Sequence, residues 1–430
     1  MKWLAVLAAP LLLGGCALAA LGSVVGSAAM APAREEPAMW RAVDSETGQI
    51  VDIAGLEQLA RDFPDSASVR LRLLTAYIRE DDKPSARDTL DWLLARDYGF
   101  SVAGQATLAA FFEDFDADLL ARLSEAPIVV ARSVVFATIP AGARLIEGIA
   151  PFGDGGWVAT SIVDRALYIG TGEKIDESWT RKSFADGGSL SGVARDPRQG
   201  SLWIASGVYQ QTPEPGTAFR GLIGWHPGSD GPPIRVAGRD DMTPSDIVVA
   251  GDGRIYASDP LTGALYTARP GDERLLTLVG AGTFRSPQGL VPVDGGRKLL
   301  VSDYRYGLAA VNLSTKRIER VRTALPVALD GIDGMWAYGE RIVAVQNGIS
   351  PQRILLFELD DRATQVVRAE VLERGHPEWL EPTGGAVHGD AFYYIASGQW
   401  NRFGEGGVAK TDLPPLPTEI RRVALPASED

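Results

Sequence analysis

Glu147, Ser191, Ser245, Asp246, Gln288, Asp333 and Thr383 stand at or beside the start of a motif that returns along the chain. Their chemistry would come from acting together. Glu147 and Asp333, with Asp246 as a further carboxylate and several neutral oxygens, form the donor set that a hard divalent cation such as Ca²⁺ takes. The same set could orient a polar substrate, or a carboxylate such as Asp333 could act as general base. Singly, each residue is as well explained by capping a turn or binding channel water.

The elements that position them are legible as a repeat. The openings read Glu147-Gly-Ile-Ala-Pro-Phe, Ser191-Gly-Val-Ala-Arg-Asp, Ser245-Asp-Ile-Val-Val-Ala, Gln288-Gly-Leu-Val-Pro-Val, Asp333-Gly-Met-Trp-Ala-Tyr and Thr383-Gly-Gly-Ala-Val-His. Each is followed by a turn and an apolar run, such as Trp157-Val-Ala-Thr or Ile342-Val-Ala-Val-Gln. In the fifth unit Gly339 marks the turn, Arg341–Val345 the second strand, Ile354–Leu359 the third and Gln365–Leu372 the fourth. A spacing of roughly 43 to 54 residues is that of a four-stranded propeller blade. Six such units predict an all-β, six-bladed propeller; a sandwich is the alternative, without a reason to repeat in fours. Innermost strands converge on the axis, which explains the glycine in the openings. The segment 127–140 is strongly β and precedes the first blade, so it, or the tail Thr418–Leu425, would close the ring by joining the last one.

The stretch Leu145 to Phe403 resembles the senescence-marker-protein/gluconolactonase-like family of six-bladed propellers, through the Glu-Gly opening of blade one, Pro287-Gln-Gly-Leu290 and Asp333-Gly-Met335. The resemblance implies lactone hydrolysis with a divalent metal held by a Glu, two Asn and an Asp. The Glu falls on Glu147 and the Asp on Asp333. Ser245 and Gln288 stand where the family has asparagine. The cation expected is calcium, zinc or manganese at Glu147 and Asp333, with Asp333 catalytic. Ser191, Ser245, Asp246, Gln288, Gln346 and Asn347 are candidate ligand-binding residues. Gln346-Asn347, Asp259, Asp303-Tyr304 and Gln399-Trp400-Asn401 follow second strands and are expected near the opposite end of those strands.

Composition narrows the partners. A net charge of −13 argues against nucleic acid or an anionic membrane surface. The single cysteine, Cys16, excludes an intrachain disulfide, and the three histidines lack zinc-ligand spacing. Residues 1–16 read as a lipoprotein-type signal peptide: an apolar run too short to span ends in Leu13-Gly-Gly-Cys16, which resembles a lipobox with Cys16 as lipid attachment. Cleavage near Ala29-Met-Ala31, or an uncleaved anchor, are the alternatives, and all export the protein. Residues 17–51 read as a tether, 52–126 as a helical domain and 127–430 as the propeller. The helical pair around Asp81-Asp-Lys-Pro84, with the small Ala86, resembles a tetratricopeptide unit. Phe111, Phe112 and Phe115 are core candidates in the helices that follow. The expected function is thus an exported, lipid-anchored propeller acting as a metal-assisted lactone or ester hydrolase. The alternative is a non-catalytic envelope protein, binding a small polar ligand at the channel mouth or a partner protein through the helices.

Overall fold

The structure, a computed structural model, describes residues 38–427 apart from 44–45, 114, 154, 172–178, 185 and 230. The segment read as a signal peptide, Cys16 and the first part of the expected tether lie outside the described residues.

Six separate sheets, antiparallel except for a two-residue parallel edge strand (Arg322–Thr323) on the fifth, follow one another along the described chain, which settles the architecture as a six-bladed propeller. Blade one is built from Ile146–Phe152, Gly156–Ser161, Ala166–Gly170 and Thr180–Ser183, and the next blades repeat this plan from Ser189, Ile247, Pro287 and Gly334. The first strand of each blade lies beside the first strand of the next, and that of blade six beside blade one. Hairpin turns hold the register: Tyr338 pairs with Arg341 across Gly339, whose φ of +61° suits a residue without Cβ.

Blade six closes the ring with both terminal candidates. Its order is Gly385–His388, Ala391–Ile395, Thr418–Ala424 and, outermost, Val134–Ile139. The tail takes the third place, and the strand from before the first blade covers the edge it would leave open.

Among the described residues ahead of the propeller lie five α-helices, α1 (Ile53–Asp62), α2 (Ala67–Arg79), α3 (Lys83–Leu94), α4 (Val102–Phe111) and α5 (Ala117–Leu123). Each starts at a Ser or Asp that accepts a backbone N–H of its first turn; for α2 this is Ser66, bound by the N–H of Val69. Leu59, Val69, Leu73, Ala86, Leu90, Leu93 and Phe112 are buried in one cluster that continues into the propeller through Phe284, Leu290, Val301 and Tyr306. Phe115, in contrast, is 43% exposed. Among the described residues no helix is long and apolar enough to cross a membrane.

The described end of the expected tether is seated on the propeller. Met39 pairs with Glu319 on the outer strand of blade four, while Arg320 N–H donates to the Ala38 carbonyl. The Trp40 ring packs on Phe63 and Phe284 at 5.0 and 5.3 Å, and Val43 is fully buried. Apolar side chains spaced three apart fill the angle between helices and blade, a contact with residues far along the chain that local composition does not reveal.

Candidate functional site

The openings converge because glycine lets neighbouring blades touch. A Cβ on Gly148 would lie 2.6 Å from the Ser191 carbonyl oxygen, one on Gly192 2.5 Å from that of Ser245, and one on Gly384 2.0 Å from that of Glu147. These contacts bring Glu147, Ser191, Ser245, Asp246 and Thr383 around one end of the channel. Asp333 precedes Gly334, which Gly289 meets in the same way from blade four.

Residues at the ends of second strands join the same end, not the opposite one. The second strand of a hairpin runs back along the first, so its last residue returns to where the first began; Gly334 pairs with Val345. Asn347 Nδ2 therefore donates to Asp333 Oδ2 at 2.9 Å, and Tyr304 OH donates to Asn347 Oδ1 at 2.9 Å. Trp400 Nε1 donates to Glu147 Oε2 at 2.7 Å and its ring packs on Tyr209.

Several expected ligand residues are instead engaged in the scaffold. Gln346 is fully buried and gives its amide N–H to the carbonyls of Ala328 and Asp330. The hydroxyl of Ser191 donates to the Ser245 carbonyl and accepts from Tyr209 OH. Gln288 Nε2 donates to Ser286 Oγ at 3.3 Å. Asp259 and Asp303 accept backbone N–H groups of their own turns, Leu261 and Thr262 in one case, Arg305 and Tyr306 in the other.

Sequence reasoning missed Glu381, two residues ahead of the Thr383 opening. Burial raises its pKa, and its charge acts on both Glu147 and Asp333. Glu147, Asp246, Asp333 and Glu381 thus feel one another's charge, and none pairs with a Lys, Arg or His among the described residues. Burial, then the Asp333 charge, lifts Glu147 well above the ordinary carboxylate range, with the Trp400 N–H opposing. The same two causes hold Asp246 at about 7. Burial and then Glu381 raise Asp333 to about 7 against the Asn347 hydrogen bond.

A channel cavity of about 320 Å³ runs along the innermost strands, with Glu147 and Asp246 in its wall at this end. Ile149, Val193, Ile247, Leu290 and Met335 give it an apolar middle, and Arg195, Pro197, Pro292 and His388 stand at its far end.

Comparison with solved structures returns propellers. A calcium-binding regucalcin from Agrobacterium tumefaciens is 16% identical with a TM-score of 0.47, over 69% of this chain and 96% of that one. A gluconolactonase from Xanthomonas campestris is 15% identical with a TM-score of 0.45, over 70% and 98%. A virginiamycin B lyase from Staphylococcus aureus is 12% identical with a TM-score of 0.44, over 65% and 80%. No protein-family model matches the chain, and no curated protein matches it in sequence. The likeness is one of architecture.

The donor set does not fit the metal that the resemblance implied. Among the described residues no three His, Cys, Asp or Glu side chains come together as a cation cage. One oxygen each of Glu147 and Asp333 is already taken by Trp400 and Asn347, and Ser245 and Gln288 replace the amide donors. What the arrangement offers is acceptors: half-buried carboxyl groups without a counter-charge among the described residues, at the end of a channel with apolar side chains along its middle. Such groups take a cation or a hydrogen-bond donor that a ligand carries in.

Proposed function

We propose that this protein is a ligand-binding propeller whose channel takes a small molecule end-on, its cationic or donor-rich group against Glu147 and Asp246. The observation that carries this reading is the pair Glu147 and Asp246, without a paired cation among the described residues, in the wall of a cavity of about 320 Å³ whose middle carries apolar side chains, with the charges of Asp333 and Glu381 acting on the pair. Pockets of this size with few convergent polar groups suit small molecules. The lipobox-like Leu13-Gly-Gly-Cys16 supports an exported, membrane-tethered setting in which such a protein would capture an envelope solute. The test is thermal unfolding of the purified chain with a panel of primary amines and polyols. We expect at least one amine to raise the Tm of the wild type and to leave Asp246→Asn unmoved. An equal shift in both proteins would remove the channel from the account.

A second reading, hydrolysis of a lactone or ester, is favoured by one observation: the Asp333 carboxyl is held at about 7, where a general base works near neutral pH. The ionised carboxylate would take a proton from water as the hydroxyl adds to the carbonyl, and on collapse the C–O bond of the ring would break while the Asp333 carboxyl returns that proton to the leaving oxygen. Lactone turnover that falls at least 100-fold in Asp333→Asn would establish it; turnover kept in that variant, or none in the wild type, would dismiss it.

A further inference from the structure

The two ends of the channel carry opposite chemistry. At the inner end are Glu147 and Asp246, and next to Gly384, which packs on the Glu147 carbonyl, sits Thr383. Thr383 is 2% exposed and its hydroxyl has no hydrogen-bond partner among the described residues. At the far end Arg195 and His388 line the same cavity, and both are exposed. Nearby Arg198 is engaged with Asp196 and the Asp252 carbonyl, whereas Arg195 makes no ion pair among the described residues. Between the ends the wall carries apolar side chains, among them Ile149, Val193, Leu290, Met335 and Trp336.

Strand geometry sets the separation. Arg195 lies three residues beyond Gly192, and His388 four beyond Gly384, on innermost strands whose inner ends flank the carboxylates. At ~3.3 Å per residue the backbone positions of the two ends stand roughly 10–13 Å apart.

Resting on the binding role proposed above, we propose that the ligand class is bipolar: an elongated molecule with an ammonium or donor-rich group at one end, an anionic group at the other, and an apolar spacer between. The ammonium end meets Glu147 and Asp246. The anionic end meets Arg195, with His388 beside it at the rim. An eight-carbon amino acid bearing its amine on the last carbon has this form.

Calorimetric titration of the full chain with that amino-octanoate, with octylamine and with octanoate tests the assignment. The amino acid is expected to bind about tenfold more tightly than octylamine, the worth of one charge-assisted contact. Arg195→Gln, or His388→Gln to a smaller extent, should bring it to the level of octylamine while leaving octylamine unchanged. Equal affinity for the two amines, with octylamine still lost in Asp246→Asn, overturns the bipolar class and leaves the binding role standing. Tighter binding of octanoate than of either amine overturns both, as does no binding of any of the three.

Discussion

The Asp330 carboxylate accepts the backbone N–H of Ala67 at 2.8 Å, and with its other oxygen that of Ser68 at 2.7 Å. A propeller loop thereby caps α2 from outside the helical unit, adding a negative charge where the helix dipole favours one. The Ser66 hydroxyl joins the same carboxylate, which is 2% exposed. Asp330→Ala would strand buried N–H groups and should cost about 2–4 kcal/mol in urea unfolding, with amide exchange of 67–79 rising first. Asp330→Asn, which keeps an acceptor, should lose less. Wild-type stability in the alanine variant would show that α2 is held without the propeller.

Blade contact at the axis makes a steric forecast. Gly384→Ala places a methyl about 2 Å from the Glu147 carbonyl oxygen, with backbone on both sides, so it should cost about 3 kcal/mol or more. Gly142, around which a Cβ would meet nothing within 4 Å, serves as the control and should tolerate alanine. Denaturant midpoints of the two variants decide the matter; equal midpoints would mean the blades can part at little cost.

Stability should fall with pH through the carboxylate cluster. Burial and Asp333 raise Asp246 from 3.8 to about 7. Between those values the folded chain keeps a proton that the unfolded chain has released, so stability declines as pH rises from about 4 to about 7 and then levels. Asp246→Asn removes that contribution. It should match the wild type near pH 4 and exceed it at pH 8 by on the order of 2 kcal/mol, less than the full shift implies because the channel admits water. A constant difference across this range would argue that Asp246 ionises freely in the fold.

Trp40 offers a fourth prediction. Its indole N–H donates to the Thr283 carbonyl at 3.0 Å and its ring lies between Phe63 and Phe284. Trp40→Ala should cost about 3–5 kcal/mol, the range for deleting a buried large aromatic. A truncation beginning at residue 46 should show a comparable loss, measured by thermal unfolding. Unchanged stability in both would return this segment to the role of a tether.

The blades were legible because their information is local and recurrent: an opening glycine in most units, a turn and an apolar run return roughly every 43 to 54 residues, and the close approach at Gly148, Gly192 and Gly384 is the physical cause of that signal. The set around the mouth was legible in part. Glu147, Asp246 and Asp333 sit at the openings, whereas Asn347 and Trp400 arrive by the return of an antiparallel neighbour, a rule that could have been applied and was reversed. Glu381 escaped because it precedes the motif. Gln346 looked available because polarity alone does not show that both its amide hydrogens are claimed by carbonyls. The seating of Trp40 and the capping of α2 by Asp330 depend on partners more than 200 residues away in sequence.

The pairing of Val134–Ile139 with Thr418–Ala424 has a consequence for how the protein is made. The strand that finishes the last sheet is synthesised before any blade, and its partner only after the inner strands of all six blades. Until then an early edge with unpaired N–H and C=O groups must wait while the intervening sheets assemble. Closure thus doubles as a check on completeness. A chain released short of residue 418 would keep that edge open, marking itself for proteases and chaperones that recognise unfinished sheets.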